Sequence, residues 1–190
     1  MLDKEKEKKD WENITSHDVK DLILSVRLYP DRLNFMIMHS ESEKIMHSGF
    51  VGLENSLSYS NAVTNAFFDN NFLKLEFKKT FVYLNPAKWC IIPSDLYHEE
   101  KAHLWIRSIT EYNEDAQKSI VVSYKMSEDG KVFIYDLDKD LYDMLNRTIV
   151  NIVLKPHVVE VIEQIRRLKI NANNKKIGRA SCRERVCQYV

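Results

Sequence analysis

Glycine is scarce in this chain: four in 190 residues, with only Gly49, Gly52 and Gly130 before residue 177. Loops that grip phosphate bring backbone amides close to the ligand, and glycine is the residue that leaves room for that approach. Charge of one sign is also missing, since 28 basic residues balance 28 acidic ones. That argues against a nucleic-acid-binding face, which needs a local excess of Lys and Arg. No apolar run approaches the ~18 residues of a membrane-spanning helix. Residues 3–10 are all charged, so the start lacks the apolar core of a signal peptide and reads as a solvated tail over residues 1–18. These absences predict a cytoplasmic protein with no membrane and no nucleic acid among its partners.

Cysteine is nearly absent too. Two of the three, Cys182 and Cys187, lie in Ile177-Gly178-Arg179-Ala180-Ser181-Cys182-Arg183-Glu184-Arg185-Val186-Cys187. These eleven residues resemble the translation of a short-read sequencing adapter, and residues 177–190 are read as a non-native tail on a gene that continued further. Without the tail, 25 basic and 27 acidic residues remain. Cys90, in the apolar run Trp89-Cys90-Ile91-Ile92, is then a small hydrophobe in a reducing compartment. No basic neighbour or helix start stands beside it to make a reactive thiolate.

What is present is a regular alternation of elements. Leu22, Leu24, Val26 and Leu28 share one face of a strand, and Leu33, Phe35 and Ile37 one face of the next. A turn at Tyr29-Pro30-Asp31-Arg32 separates them, and a third strand covers about Lys44 to Phe50. Ser58 to Asn70 reads as a helix with Tyr59, Val63, Ala66 and Phe67 on one stripe. Phe72–Phe77 alternates as a strand or as a linker into Phe81–Leu84. Asn85-Pro86-Ala87 turns the chain into Trp89–Ile92, and Pro93-Ser94-Asp95 opens a helix to about Ile109.

A polar break at Tyr112–Lys118 marks a subdomain boundary. Ser119–Met126 and Lys131–Leu137 form a hairpin around Ser127-Glu128-Asp129-Gly130. A short helix over Asp138–Asn146, a strand over Ile149–Leu154 and a helix from Pro156 to about Ile170 follow. That last helix has an apolar stripe of Val158, Ile162, Ile165 and Leu168 (or Val161), which is expected to be partly uncovered. The order β-β-β-α-β-β-α, then β-β-α-β-α, suggests two related α/β lobes of antiparallel meander plus βα units. The first covers residues 19–117. The second covers 118–176 and is truncated.

Leu24-Ser25-Val26-Arg27-Leu28 with Leu33-Asn34-Phe35, and Trp89-Cys90-Ile91-Ile92-Pro93-Ser94-Asp95-Leu96-Tyr97, carry a family likeness. Over about Ser16 to Ile170 the chain resembles a bacterial family of unknown function, common in Bacteroidetes. That family is grouped with the actin-like ATPases (sugar kinases, heat-shock chaperones, actin) and has an RNase H-like fold. The resemblance implies two RNase H-like lobes facing a cleft and no particular activity. In that superfamily the first hairpin binds phosphate, with an aspartate on the strand and a glycine in the turn. Here the strand carries Ser25 and Arg27, and the turn is Pro30-Asp31-Arg32. In the second hairpin Asp129 and Gly130 match weakly.

The leading expectation is a non-catalytic, pseudo-ATPase module without a cofactor, acting through a protein partner or as a homo-oligomer. The first alternative is an ATP- and Mg-binding phosphotransferase-type protein using Arg27, Asp31, Asp129, Gly130 and Lys131. The second is an RNase H-like nucleic-acid-processing enzyme. Such a nuclease needs several carboxylates around two metal ions, one of them on the first strand, and Leu22–Leu28 has none.

Three metal-like patterns dissolve on inspection, leaving no catalytic and no metal residue assigned. In His98-Glu99-Glu100-Lys101-Ala102-His103 the histidines are five apart, where a zinc helix needs four. Asp136-Leu137-Asp138-Lys139-Asp140 opens like a calcium loop but has Leu141 where the glycine belongs and Arg147 where the glutamate belongs, so it reads as a strand running into a capped helix. His39, His47 and His157 stand apart from one another in sequence and read as core or surface residues.

Overall fold

The computed structural model describes residues 19–109 and 118–174. Two compact units divide the chain, Met1–Pro156 and His157–Val190. The proposed break at Tyr112–Lys118 falls almost wholly outside the described residues, as do the tails over residues 1–18 and 177–190.

The first unit is built on a five-stranded mixed sheet. Strands β1 (Leu22–Leu28), β2 (Arg32–His39) and β3 (Ile45–Gly52) form the antiparallel meander expected from their alternation. Strands β4 (Lys79–Leu84) and β8 (Ile152–Pro156) extend it in parallel, giving the order β3-β2-β1-β4-β8. One face is largely apolar: Leu24 and Val26 of β1, Leu33 and Ile37 of β2 and Val82 of β4 are fully buried, with Thr80 of β4 the polar residue among them. Helix α1 (Tyr59–Asp69) buries Ala62, Val63, Ala66 and Phe67, the stripe its spacing predicts, with Tyr59 at the exposed end. The stretch after it is no strand. Asn71–Lys74 makes a 3-10 turn that sets Phe72 4.7 Å from the Phe35 ring, and the chain then runs on into β4.

Between β4 and β8 sits an inserted layer. Strands β5 (Trp89–Pro93), β6 (Ser119–Met126) and β7 (Lys131–Asp138) form a separate antiparallel sheet in the order β5-β7-β6. Helix α2 (Ala102–Ser108) seals one face with Ala102 and Ile106 against Ile92, Val132 and Ile134, while Cys90 and Trp105 pack at the margin. On the other face Trp89 stacks on Phe133 at 5.0 Å, and helix α3 (Lys139–Thr148) packs on β7 and also against α1. This pairing differs from the sequence-based division at residue 118. The hairpin β6–β7 joins β5, and Ile152–Pro156, assigned to the second lobe, complete the sheet of the first. Alternation marks a strand but does not name its partner.

Local differences have local causes. The helix expected from Pro93 to Ile109 is two 3-10 turns, Ser94–Leu96 and Glu99–Lys101, before α2 begins at Ala102. Ser94 does not cap a helix; its amide and hydroxyl both donate to the Gly130 carbonyl, at 2.9 and 3.0 Å. Asp138 does cap α3, accepting from the Leu141 amide at 2.8 Å. Strand β8 starts only at Ile152, because Asn151 takes φ 55° and donates its side-chain amide to the Phe77 carbonyl at 3.2 Å. Pro156 ends that strand instead of opening a helix.

The second unit, described by itself, is helix α4 (His157–Asn174). Of its expected stripe, Ile165 and Leu168 are 49% and 68% exposed, and Val161 is exposed as well. Among the described residues no helix is long and apolar enough to cross a membrane.

Two expected outcomes follow from this packing. A Cβ on Gly49 would stand 3.0 Å from Cζ and 3.1 Å from Cε1 of the buried Phe35 ring, whose centroid is 4.7 Å from that of Phe72. Gly49→Ala should cost about 1–3 kcal/mol in urea unfolding. The Tyr135 hydroxyl is fully buried without a hydrogen-bond partner, and burial, with Tyr142 second, holds its ionisation well above the ordinary value of 10.0. The folded state therefore keeps this proton more tightly, and stability is lost as pH rises above the unfolded value. Tyr135→Phe should leave stability at pH 7 unchanged or raise it by about 1 kcal/mol, and should flatten the loss above pH ~10.

Candidate functional site

In open α/β sheets ligands sit beyond the carboxyl ends of the strands, where the direction of chain progress changes. In this protein that place is the end of β1, which has antiparallel β2 on one side and parallel β4 on the other. A crevice of ≈ 220 Å³ lies there. Leu28 and Leu84, the last residues of β1 and β4, form its floor, and Leu137 and Leu141 reach it from the inserted layer. Pro30 and Pro86 stand in the two turns beside it, and Tyr59 and Asn85 are its only polar side chains. Burial pushes the Tyr59 phenol up, so it stays protonated and neutral. The volume is below the roughly 300–1,000 Å³ of sites that enclose a drug-sized ligand.

The resemblance implies a phosphate at the turn beside this crevice. Pro30 brings no amide proton. The Tyr29 amide is already donated to the Arg32 carbonyl at 2.8 Å, which closes the turn. The Asp31 carboxylate is exposed at the tip, 3.8 Å from the Arg32 guanidinium, which lies 5.7 Å from the Tyr29 ring centroid. Helix α3 begins at the crevice, but its amino end already receives the Asp138 carboxylate. A phosphate there would displace a negative group from the partial positive charge it neutralises. The residues present do not fit a triphosphate.

The five residues named as weak ligands do not converge. Arg27 precedes Leu28 on β1 and so points to the opposite face, where it lies 5.4 Å from the Tyr83 ring centroid. Asp31 stands at the turn tip. Asp129, Gly130 and Lys131 occupy the β6–β7 turn, where Gly130 takes φ 58° and its carbonyl holds Ser94. Lys131 opens β7 and Leu137, at the crevice, nearly ends it, a separation of about 20 Å along the strand.

Among the described residues no three His, Cys, Asp or Glu gather where one metal ion would reach them all. His98 lies outside helix α2 while His103 lies in it, so the two never share a helix face. His39 has a local duty: Nδ1 accepts from the Glu41 and Ser42 amides at 3.3 and 3.4 Å and shapes the β2–β3 turn. Cys90 is half-buried and its thiol is pushed up by burial, the opposite of what a nucleophile requires. Sequence reasoning missed the crevice itself. Asn85-Pro86 signals only a turn, and nothing local in Leu137 or Leu141 says that they meet Leu28 and Leu84.

A solved structure from Bacteroides thetaiotaomicron VPI-5482, described as a protein with actin-like ATPase fold and unknown function, superposes with a TM-score of 0.70 at 24% identity. The match covers 80% of this chain and 58% of that one, so this chain spans less than two thirds of its length. It shows the fold: the five-stranded sheet belongs to an actin-like ATPase architecture. The cytoplasmic domain of EpsL, an inner-membrane component of the type II secretion system of Vibrio cholerae, matches at a TM-score of 0.42 and 14% identity, over 71% of this chain and 57% of its own, too distant to carry weight. No curated protein sequence matches the chain. The family described as Protein of unknown function (DUF3822) matches residues 12–184, a span that runs into the tail read as adapter. The chain belongs to the DUF3822 family.

Proposed function

We propose that this protein is a non-catalytic actin-like module that works in the cytoplasm through protein contacts. The observation that carries this reading is the apolar crevice at the carboxyl ends of β1 and β4. Its leucines and prolines occupy the place where the fold would hold nucleotide phosphates, and no lysine, arginine or carboxylate lines it. A triphosphate brought there would lose water without gaining a charged partner, which costs several kcal/mol. The free thiol of Cys90 supports a reducing compartment.

The alternatives have less in their favour. An ATP-binding phosphotransferase would need Arg27, Asp31, Asp129, Gly130 and Lys131 to act together, and they lie in separate places. A nucleic-acid enzyme would need a basic face and grouped carboxylates.

Thermal unfolding of the full chain with and without Mg-ATP tests the proposal. A ligand at ~100 times its dissociation constant stabilises by about 2.7 kcal/mol. No shift is expected, and a reproducible one of that size would overturn the reading in favour of nucleotide binding. A salt-dependent binding assay with single- and double-stranded RNA and DNA checks the third reading, and no association is expected at physiological salt.

A further inference from the structure

The turn between β2 and β3 is Ser40-Glu41-Ser42-Glu43, and each of its four amides is taken. The Ser40 amide donates to the Asp21 carbonyl at 2.8 Å, and the Glu43 amide to the His39 carbonyl at 3.0 Å. The two amides at the tip, those of Glu41 and Ser42, both donate to a single atom, Nδ1 of His39, at 3.3 and 3.4 Å. Bonds of that length are what one lone pair gives when two donors share it. The neck of the turn closes without the imidazole, since the His39 amide donates to the Lys44 carbonyl at 2.9 Å. Glu43 takes φ 53°, the left-handed step that returns the chain to β3. The corner is also tied down from the run into β4. The Lys78 ammonium donates to Ser40 Oγ at 3.0 Å, and the Lys78 amide to the Leu22 carbonyl at 3.0 Å.

We infer that His39 makes the tip of this turn proton-sensitive: closed while the imidazole is neutral, released when it is charged. The inference goes beyond the protein-contact reading and does not depend on it. A neutral imidazole has one acceptor nitrogen. Here that nitrogen is Nδ1, so the ring proton sits on Nε2. A second proton can go only to Nδ1. It takes the lone pair that both amides use and sets an N–H against two other N–H groups, so both bonds are lost together. Imidazole is the side chain that makes this change between about pH 5 and pH 8. His39 is half-buried, while Glu41, Ser42, Glu43 and Lys44 are exposed, so water can deliver the proton and the released tip has room to move. The charged residues on the segments bonded at this corner are of both signs: Lys20 and Asp21 ahead of β1, Glu76 and Lys78 in the run into β4, and Glu41, Glu43 and Lys44 in the turn. Among the described residues none of these forms an ion pair with the imidazole. The response therefore comes from the shared lone pair. The bonds of Ser40, Glu43 and the neck end on carbonyl oxygens, which take up no proton in this range, so the change is confined to Glu41 and Ser42.

The test is nuclear magnetic resonance on the full chain at about pH 8 and about pH 5, with circular dichroism to verify folding at both. Long-range proton–nitrogen spectra of the imidazole should show the His39 proton on Nε2 at the higher pH and protons on both nitrogens at the lower. Exchange of the Glu41 and Ser42 amides with solvent is divided by the rate of an unstructured peptide at the same pH. That ratio should rise about fivefold on going to the lower pH, while the ratios for Ser40 and Glu43 hold. His39→Asn supplies an acceptor that does not titrate, because an Asn side chain bonds the amide two residues on. It should keep the Glu41 amide protected and remove the pH dependence. His39→Phe should leave both tip amides open at either pH. A proton on Nδ1 at the higher pH overturns the inference. Tip amides indifferent to pH overturn it as well, as does a His39→Asn variant that responds to pH as the parent chain does.

Discussion

Strand β1 is held along both edges, by β2 running against it and β4 running with it. That double pairing decides where the chain can put a site. It brings Leu28 and Leu84 to a common end of the sheet and leaves a crevice above them. Side-chain alternation then sorts the strand. Leu22, Leu24, Val26 and Leu28 go to the core, while Ile23, Ser25 and Arg27 go to the other face. A one-residue slip would exchange these sets, so burial of the leucines fixes the register. Arg27 is thereby taken from the crevice, and only a leucine from this strand can reach it.

The first three strands, helix α1 and the β6–β7 hairpin were legible in the sequence, because each announces itself within a dozen residues. Alternation, a helical stripe and an Asp-Gly turn are local signals. What was not legible depends on partners far away in the chain. Ile152–Pro156 reads equally well as a strand of a second lobe, and only its bonds to β4 place it in the first sheet. Ser94 reads as a helix cap until Gly130, 36 residues later, claims its hydroxyl. The proline in the Tyr29–Arg32 turn and its lack of glycine were readable, whereas the leucines that close the crevice were not. Each looks like an ordinary core residue until the insert folds over the sheet.

The insert also explains why the crevice is apolar. Strand β7 passes from Lys131 at its exposed turn to Leu137 beside the main sheet, with Val132, Phe133, Ile134 and Tyr135 buried between them. At its inner end the strand alternates Asp136, Leu137 and Asp138, and it is Leu137 that lines the crevice. Helix α3 follows at once, and its Leu141 continues the same apolar wall, while Asp138 is spent on capping. Two elements that could have carried a lysine or a carboxylate toward the ends of β1 and β4 are committed to packing. A charged group put there would need a buried partner that the surroundings do not supply.

Apolar surface in this unit thus falls into two kinds with different physical consequences. In the crevice it is concave and small, ≈ 220 Å³. At β3 the exposed Phe50, Ile45 and Met46 lie beside the outward amides of Ser48, Phe50 and Gly52, so burial and hydrogen bonding can be satisfied together by one extended partner. Water can satisfy those amides but cannot cover Phe50, and a flat apolar surface can cover Phe50 but cannot satisfy the amides. Only another strand does both.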